Sequence, residues 1–343
     1  MKKQIVLLLI VGVFVMCSSA TAEIWTNGTG NGLWSDAGNW DGVSFPGTYW
    51  ITDPALGTAT ISGSYAASST GYAVLGQGIA GVAAVEINDT SSLTVSGPFY
   101  VGNAAGAGAI AEIRLNDSAQ LSTTGAIGWI ELGQIGGDNR LIATGNSQIN
   151  ADYAVFVGNW AGSTGSVDLS GFASLTTADF NVGISGIGNV DIADSASLNV
   201  SGGIRLGTYV AGASFGTMNV NGGAVTSGLS EIGVDEGGLL QLIGGTYDTG
   251  LLDIGDVGSV LLSGSTVTAT DLNLNLAGSL AVTGGSMTIL GIDKTAELGL
   301  WEALGQFSGS YAFDGTDTVI TPEPATMALM AIGGLAALRR KRR

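Results

Sequence analysis

An aliphatic residue followed by glycine recurs at Leu75-Gly76, Val101-Gly102, Leu132-Gly133, Val157-Gly158, Val182-Gly183, Leu206-Gly207, Ile232-Gly233 and Ile254-Gly255. The glycines stand 26, 31, 25, 25, 24, 26 and 22 residues apart, so one unit is about twenty-five residues long. A period of this size confines a chain to repeat architectures, in which a unit buries its apolar face only against its neighbours. Each unit also carries a segment that alternates apolar and polar: Val85-Glu86-Ile87, Ile113-Arg114-Leu115, Val167-Asp168-Leu169, Val190-Asp191-Ile192, Met218-Asn219-Val220 and Leu240-Gln241-Leu242. Period two is the mark of a strand with one buried and one wet face. A third strand follows a small polar turn, as in Ser92-Leu93-Thr94-Val95, Ser174-Leu175-Thr176 and Ser197-Leu198-Asn199-Val200.

Three short strands per unit, joined by turns of Gly, Asn, Asp and Ser, predict one coil of a three-sided parallel β-helix, right-handed by default. The fold class is therefore all-β: a β-solenoid over residues 61–291, of about eight or nine coils and on the order of 40 Å long at the spacing of paired strands. Each inward aliphatic side chain contributes roughly 1.5–3 kcal/mol by burial. The glycine after the first strand marks a corner that needs positive φ or a close approach. Composition agrees: 57 of 343 residues are Gly, 45% are apolar, and only 11% are charged. Gly-rich stretches such as Gly106-Ala107-Gly108 are not phosphate loops, because no Lys-Ser or Lys-Thr follows them.

The two flanks of the repeat differ from it. Residues 23–60 hold Trp25, Trp34, Trp40 and Trp50, and are expected to form an N-terminal cap; the alternative is a sugar-binding platform of Trp25, Trp34 and Trp40. Residues 292–321, with Trp301, Phe307, Tyr311 and Phe313, are the expected C-terminal cap. Capping matters because the ends of a stacked ladder expose unpaired strand edges.

The termini read as addresses. Residues 1–22 place Lys2-Lys3 before an apolar run at 5–16 and end on Ala20-Thr21-Ala22, the pattern of a secretion signal cut after Ala22 and delivered to the Sec translocon. Cys17, the chain's one cysteine, lies inside that segment behind Met16 rather than a small residue, so the mature protein is expected to carry no cysteine and no lipid there. At the other end, Pro322-Glu323-Pro324 precedes an apolar stretch containing Gly333-Gly334 and a basic stop of Arg339, Arg340, Lys341, Arg342 and Arg343, an orientation that leaves the arginines in the cytoplasm.

These three parts in this order, residues 322–343, resemble the PEP-CTERM sorting domain. The resemblance implies cleavage near Pro322-Glu323-Pro324 by an exosortase-type membrane protease, a transient inner-membrane intermediate held by the hydrophobic helix, and a Gram-negative host that makes extracellular polysaccharide. The run Trp34-Ser35-Asp36-Ala37-Gly38-Asn39-Trp40 resembles the W-x(4)-N-W opening of repetitive autotransporter-like and planctomycete surface proteins. An autotransporter passenger would be followed by a membrane barrel of alternating strands, where this sequence has one short helix, so that reading is set aside.

Charge and residue chemistry narrow the function. Between the termini only Arg114, Arg140, Arg205 and Lys294 stand against 27 acidic residues, a net charge of −23, which repels nucleic acid and anionic lipid. With no histidine and no mature cysteine, zinc, haem and imidazole or thiol catalysis drop out. Polysaccharide lyase chemistry needs Arg or Lys beside a cation, and the four basic residues fall in different units; Arg114 is expected to face outward above Glu86 as a cross-rung ion pair. Hydrolysis needs two carboxylates about 5–9 Å apart. Asp168 and Asp191 share an outward column, but Asn219 and Gln241 continue it as a solvated face. Asp235, Glu236, Asp253 and Asp256 are expected to be solvated turns, with an oxygen-ligand site for Ca2+ as the alternative. The expected function is an exported, non-catalytic structural or adhesive protein associated with extracellular polysaccharide. The alternative is a polysaccharide-binding protein or a weak glycan-cleaving lyase or hydrolase.

Overall fold

The computed structural model describes residues 23–41, 49–51, 57–76, 81–102, 109–134, 136–207 and 214–323. The signal segment with Ala20 and Ala22, and the tail from Pro324 through the hydrophobic stretch to Arg339, Arg340, Lys341, Arg342 and Arg343, lie outside the described residues. Within them the chain is a parallel β-solenoid of about nine turns. Strands pair with strands one coil away, and they sort into three columns.

The first face begins at Ala59–Ile61 and runs through Gly81–Ile87, Ala109–Leu115, Asp138–Ala143, Thr164–Leu169 and Ile187–Ala193 to segments 215–220, 237–242, 258–262 and 279–282. The second face runs from Ala66–Ser69 through Ser92–Val95, Gln120–Thr123 and Ser197–Val200 to 286–289. The third starts as early as Glu23–Ile24 and Tyr49–Ile51, so parallel pairing already begins inside the Trp-rich region, and it ends at 271–274. All of these pairings are parallel, and period two puts every second side chain inward. Ile87, Leu115, Ala143, Leu169, Ile192, Val220, Leu242, Leu262 and Val282 stack in register as one buried aliphatic column.

Corner chemistry explains the period and its drift. Glycine after the third strand takes positive φ at Gly76, Gly102, Gly133, Gly158, Gly183, Gly207 and Gly233. Gly255 does not, but a Cβ there would overlap the Gly233 carbonyl, so it is the close approach that demands glycine. At the corner from first to second face, Gly63, Asp89, Asp117, Gly145, Gly171 and Asp194 occupy the same left-handed position, with φ between 59° and 70°. Asp tolerates that region better than most residues because its short polar side chain bonds locally. Ser91, Ala119, Ser147, Ala173 and Ala196 then turn a small side chain into the interior. From Val220 onward the corner shortens to a Gly-Gly or Gly-Ser pair, and the strands run on through it: the register step falls from Ile87↔Leu115 early in the chain to Leu242↔Leu262 late.

The inward positions are not all apolar: Ser69, Thr123, Thr177 and Thr249 are buried on the second face and Ser230 on the third. On the third face Ser230 sits where Phe99, Ile130, Val155, Phe180, Ile204, Leu252 and Leu272 sit in other coils. It is matched by Tyr247 on the second face, whose hydroxyl lies 2.8 Å from the Ser230 hydroxyl; Thr249 and Ser227 complete the cluster at 2.9–3.1 Å. A buried phenol needs such a partner, and its burial pushes the Tyr247 pKa up to about 12.

Candidate functional site

The three indoles expected to belong to a cap, with a glycan platform as the alternative, are not open. Trp25, Trp34 and Trp40 are buried and pack edge-on, with Trp40 centroids 5.1 Å from Trp25 and 4.7 Å from Trp34. The W-x(4)-N-W spacing builds this core. Asp36 caps a short 3-10 turn by accepting from Gly38 N at 2.9 Å, which holds its carboxyl below the usual range. That turn delivers Asn39 inward, where its amide donates to Leu33 O at 2.9 Å and Asn31 Oδ1 at 2.7 Å and accepts from Thr29 N and Oγ1. Trp40 Nε1 donates to Trp34 O at 3.0 Å. A buried amide with every valence used holds a fold together, and the rings it positions present no face to a sugar.

The first face carries the charge columns. Asp168 and Asp191 are directly opposed on successive rungs, as their spacing predicts. Asn219 Nδ2 donates to Asp191 Oδ1 at 2.8 Å, and Ile142 stands next to Asp168 on the other side, so no third carboxylate adjoins the pair. Partial burial raises the Asp168 pKa, and the Asp191 charge adds to it. A carboxyl whose pKa is higher in the folded than in the unfolded state favours folding below its unfolded value of 3.8 and loses that contribution as pH rises through the folded value. Asp168→Asn should therefore raise stability at pH 7 by about 0.5 kcal/mol, the scale of one opposed like-charge pair. The gain should vanish in melts below the unfolded value; an equal gain at both pH values would refute this origin.

Arg114 stands opposite Glu86 in register, but the ion pair differs from the expected one. Arg114 pairs with Glu112, two residues back on its own strand, and Glu86 accepts instead from Asn116 Nδ2 at 3.1 Å. Arg114 faces outward as expected, its side chain 46% exposed, and folds over Glu112, which is almost wholly buried. The other three body cations are also engaged: Arg140 with Asp138 at 3.3 Å, Arg205 between Asp179 at 3.1 Å and Glu231 at 2.7 Å, and Lys294 with Asp271 at 2.9 Å. Asp235, Glu236, Asp253 and Asp256 do not converge; among the described residues no three acidic, His or Cys side chains are placed to hold a metal ion.

Sequence reading missed the most distinctive surface, an aromatic ladder on the third face. Tyr72, Tyr100, Trp129 and Tyr153 come from successive coils, with centroids 6.3, 6.3 and 6.1 Å apart, and Phe156 lies 6.4 Å from Trp129. Tyr72 and Tyr153 are 40% and 47% exposed. Glu131, in register with Tyr100 and Phe156, is buried beneath its surroundings; it accepts from Asn159 Nδ2 and Trp160 Nε1, both at 2.8 Å, and so fixes the neighbouring corner. Burial, and then the Glu131 charge, push the Tyr100 pKa up. Beyond Phe156 the same column turns polar, with Asn181, Arg205, Glu231 and Asp253 in register. The available signal was the residue just before the aliphatic-Gly pair, which is aromatic at Tyr100 and Phe156.

Beside Tyr153, at the corner from second to third face, a cavity of about 220 Å3 is lined by Asn150, Ala151, Asp152, Thr176, Thr177, Ala178 and Ser201. At the C-terminus the last cap strand, Thr318–Thr321, leads directly into Pro322, which is buried, and Glu323, which is exposed. Among the described residues no helix is long and apolar enough to cross a membrane.

Fold and surfaces together define a capped β-solenoid whose chemistry lies on its outer faces. Residues 321–343 match the PEP-CTERM protein-sorting motif, which makes this an exported protein of the cell surface or extracellular space, handled by an exosortase, a membrane protease. No curated protein and no solved structure matches the chain.

Proposed function

We propose that the chain is a non-catalytic structural and adhesive rod, displayed at the surface of a Gram-negative bacterium or held in its extracellular polysaccharide. It leaves through the Sec translocon and pauses in the inner membrane on its C-terminal hydrophobic segment before the exosortase acts. The observation that supports this most is the juxtaposition of the sorting motif with a continuous ladder: the last strand ends at Thr321, where the motif begins. Support for a non-catalytic role comes from the basic side chains, because each of the four in the body is already committed to a carboxylate, leaving none to serve as the base of a lyase.

The second reading, a weak glycan-cleaving enzyme, rests on the opposed Asp168 and Asp191. It predicts shortening of neutral or acidic glycans by the purified protein; retention without shortening favours the rod. Sorting is tested by placing one epitope in the solenoid and a second after Arg343, then fractionating cells. The expected result is the solenoid epitope outside the cell with the second epitope lost. Both epitopes together in the inner membrane would overturn the processing step.

A further inference from the structure

We propose that the ladder of Tyr72, Tyr100, Trp129 and Tyr153, with the groove beside Tyr153, binds an extended neutral polysaccharide, one that bears hydroxyls and no carboxylates. This rests on the proposed association with extracellular polysaccharide and gives it a place on the rod. A sugar ring presents two chemistries: apolar C–H faces and a rim of hydroxyls. Aromatic side chains cover the first while keeping a polar edge wet, and a few convergent polar groups orient the second. The third face offers both in the right order. Its four rings are held by successive coils at centroid steps of 6.1–6.3 Å and inclined 55–78° to one another, so an extended chain laid along the rod axis meets a ring face or a ring edge at each coil.

The ladder ends at Tyr153 beside a polar recess. Asn150 supplies an amide, Asp152 a carboxylate, and Thr176 and Ser201 hydroxyls, around a volume of about 220 Å3. That is smaller than the roughly 300–1,000 Å3 of drug-sized sites and suits a single ring or branch. Asp152 is anchored by accepting from Gly125 N at 2.9 Å, which leaves its other oxygen for a sugar hydroxyl. The end rings Tyr72 and Tyr153 stay 40% and 47% exposed and the central Tyr100 and Trp129 are partly exposed, unlike the buried Trp25, Trp34 and Trp40.

Charge selects the occupant. The surroundings contribute Glu131, Asp152 and Asp179, and Arg205, the nearest cation on this face, is held by Asp179 and Glu231. With a body charge of −23, an anionic polymer or anionic lipid surface is repelled, whereas a neutral glycan is not.

The test uses the full chain recovered from cells and electrophoresed through gels containing either hydroxyethylcellulose or polygalacturonate, with tryptophan emission followed in parallel titrations. Wild type should be retarded by hydroxyethylcellulose, with a change in emission, and should pass freely through polygalacturonate. Trp129→Ala and Tyr153→Ala should each weaken retardation by about tenfold, the loss of one aromatic contact of about 1.4 kcal/mol. Phe172→Ala, at an exposed aromatic on another corner, should bind as wild type, and the circular dichroism of all variants should match. Retardation of the ladder variants equal to that of wild type would show that polysaccharide binds elsewhere and would overturn this proposal alone. No retardation by either polymer would overturn both the proposal and the association on which it rests. A mass doubling in light scattering that the Trp129 variant abolishes would assign the ladder to a second copy of the chain instead.

Discussion

Gly183→Ala should destabilise the solenoid by about 3 kcal/mol, while Gly162→Ala should cost about 1 kcal/mol. Both glycines have positive φ, 69° and 77°, so both substitutions force an L residue into the left-handed region, at about 1–2 kcal/mol. They differ in the space around them. A Cβ on Gly183 would overlap the carbonyl of Phe215 and lie 2.6 Å from Gly216 N, whereas a Cβ on Gly162 meets nothing within 4 Å. The Phe215 carbonyl is backbone of the next rung, so it cannot rotate away like a side chain. Either the coil spacing opens or the corner unwinds, and strained packing of this kind adds about 1–3 kcal/mol. Urea denaturation followed by far-ultraviolet circular dichroism reads both variants. Because stability in a stacked array is a sum of local and nearest-neighbour contributions, Gly183→Ala should also separate the rod into two unfolding steps at that interface. Equal midpoints for the two variants would refute the idea that the glycine column is kept for coil-to-coil contact.

The difference between these two glycines marks what could be read from the chain and what could not. Period, strand count per coil and the opposition of Asp168 to Asp191 are all visible in one dimension, because parallel stacking converts a repeat spacing directly into a spatial register. The aliphatic-Gly pairs are visible for the same reason. Partner choice is not. Arg114 lies over Glu86 in register, yet it pairs with Glu112, since a long side chain selects among several neighbours within reach and takes the buried carboxylate that most needs a counter-charge. The tryptophans of the cap were ambiguous because aromatic residues serve cores and sugar sites equally; the amide network of Asn39 settles which, and hydrogen-bond networks are not legible from spacing. The ladder was hidden by unequal coil lengths and by register: Tyr100 stands opposite Glu131 and Trp129 opposite Ala154, so Tyr72, Tyr100, Trp129 and Tyr153 share no strand position yet are adjacent in space.

Ending the chain after Ile289 should turn a monodisperse rod into one that associates end to end and then precipitates. The cap closes the ladder in three moves. The helix Thr295–Ala303 lays Leu298 and Trp301 over the open core, and Phe307–Ser308 adds one last parallel bridge to Leu280 and Ala281. The chain then reverses: Thr318–Thr321 pairs antiparallel with Met287, Thr288 and Ile289, and Ser310–Phe313 pairs antiparallel with it in turn. Switching direction ends the template, because an incoming parallel coil finds no matching edge, and the strand left outermost is only four residues long. Gln306 ties the cap down by donating to Asn275 O at 2.7 Å, and Lys294 does so through Asp271. Without the cap, the Ser279–Ile289 edge loses its partners, and Leu280, Val282, Met287 and Ile289 are bared, each losing up to about 1.5–3 kcal/mol of burial. The bared end matches the parallel edge of another coil, so association should grow with concentration in light scattering, while the capped protein keeps its mass. A truncated rod that stays monomeric across the same range would mean that the charge of the body, rather than the cap, keeps the ends apart. That outcome can be separated by adding salt, which screens charge over about 10 Å at 0.1 M but does not restore a missing cap.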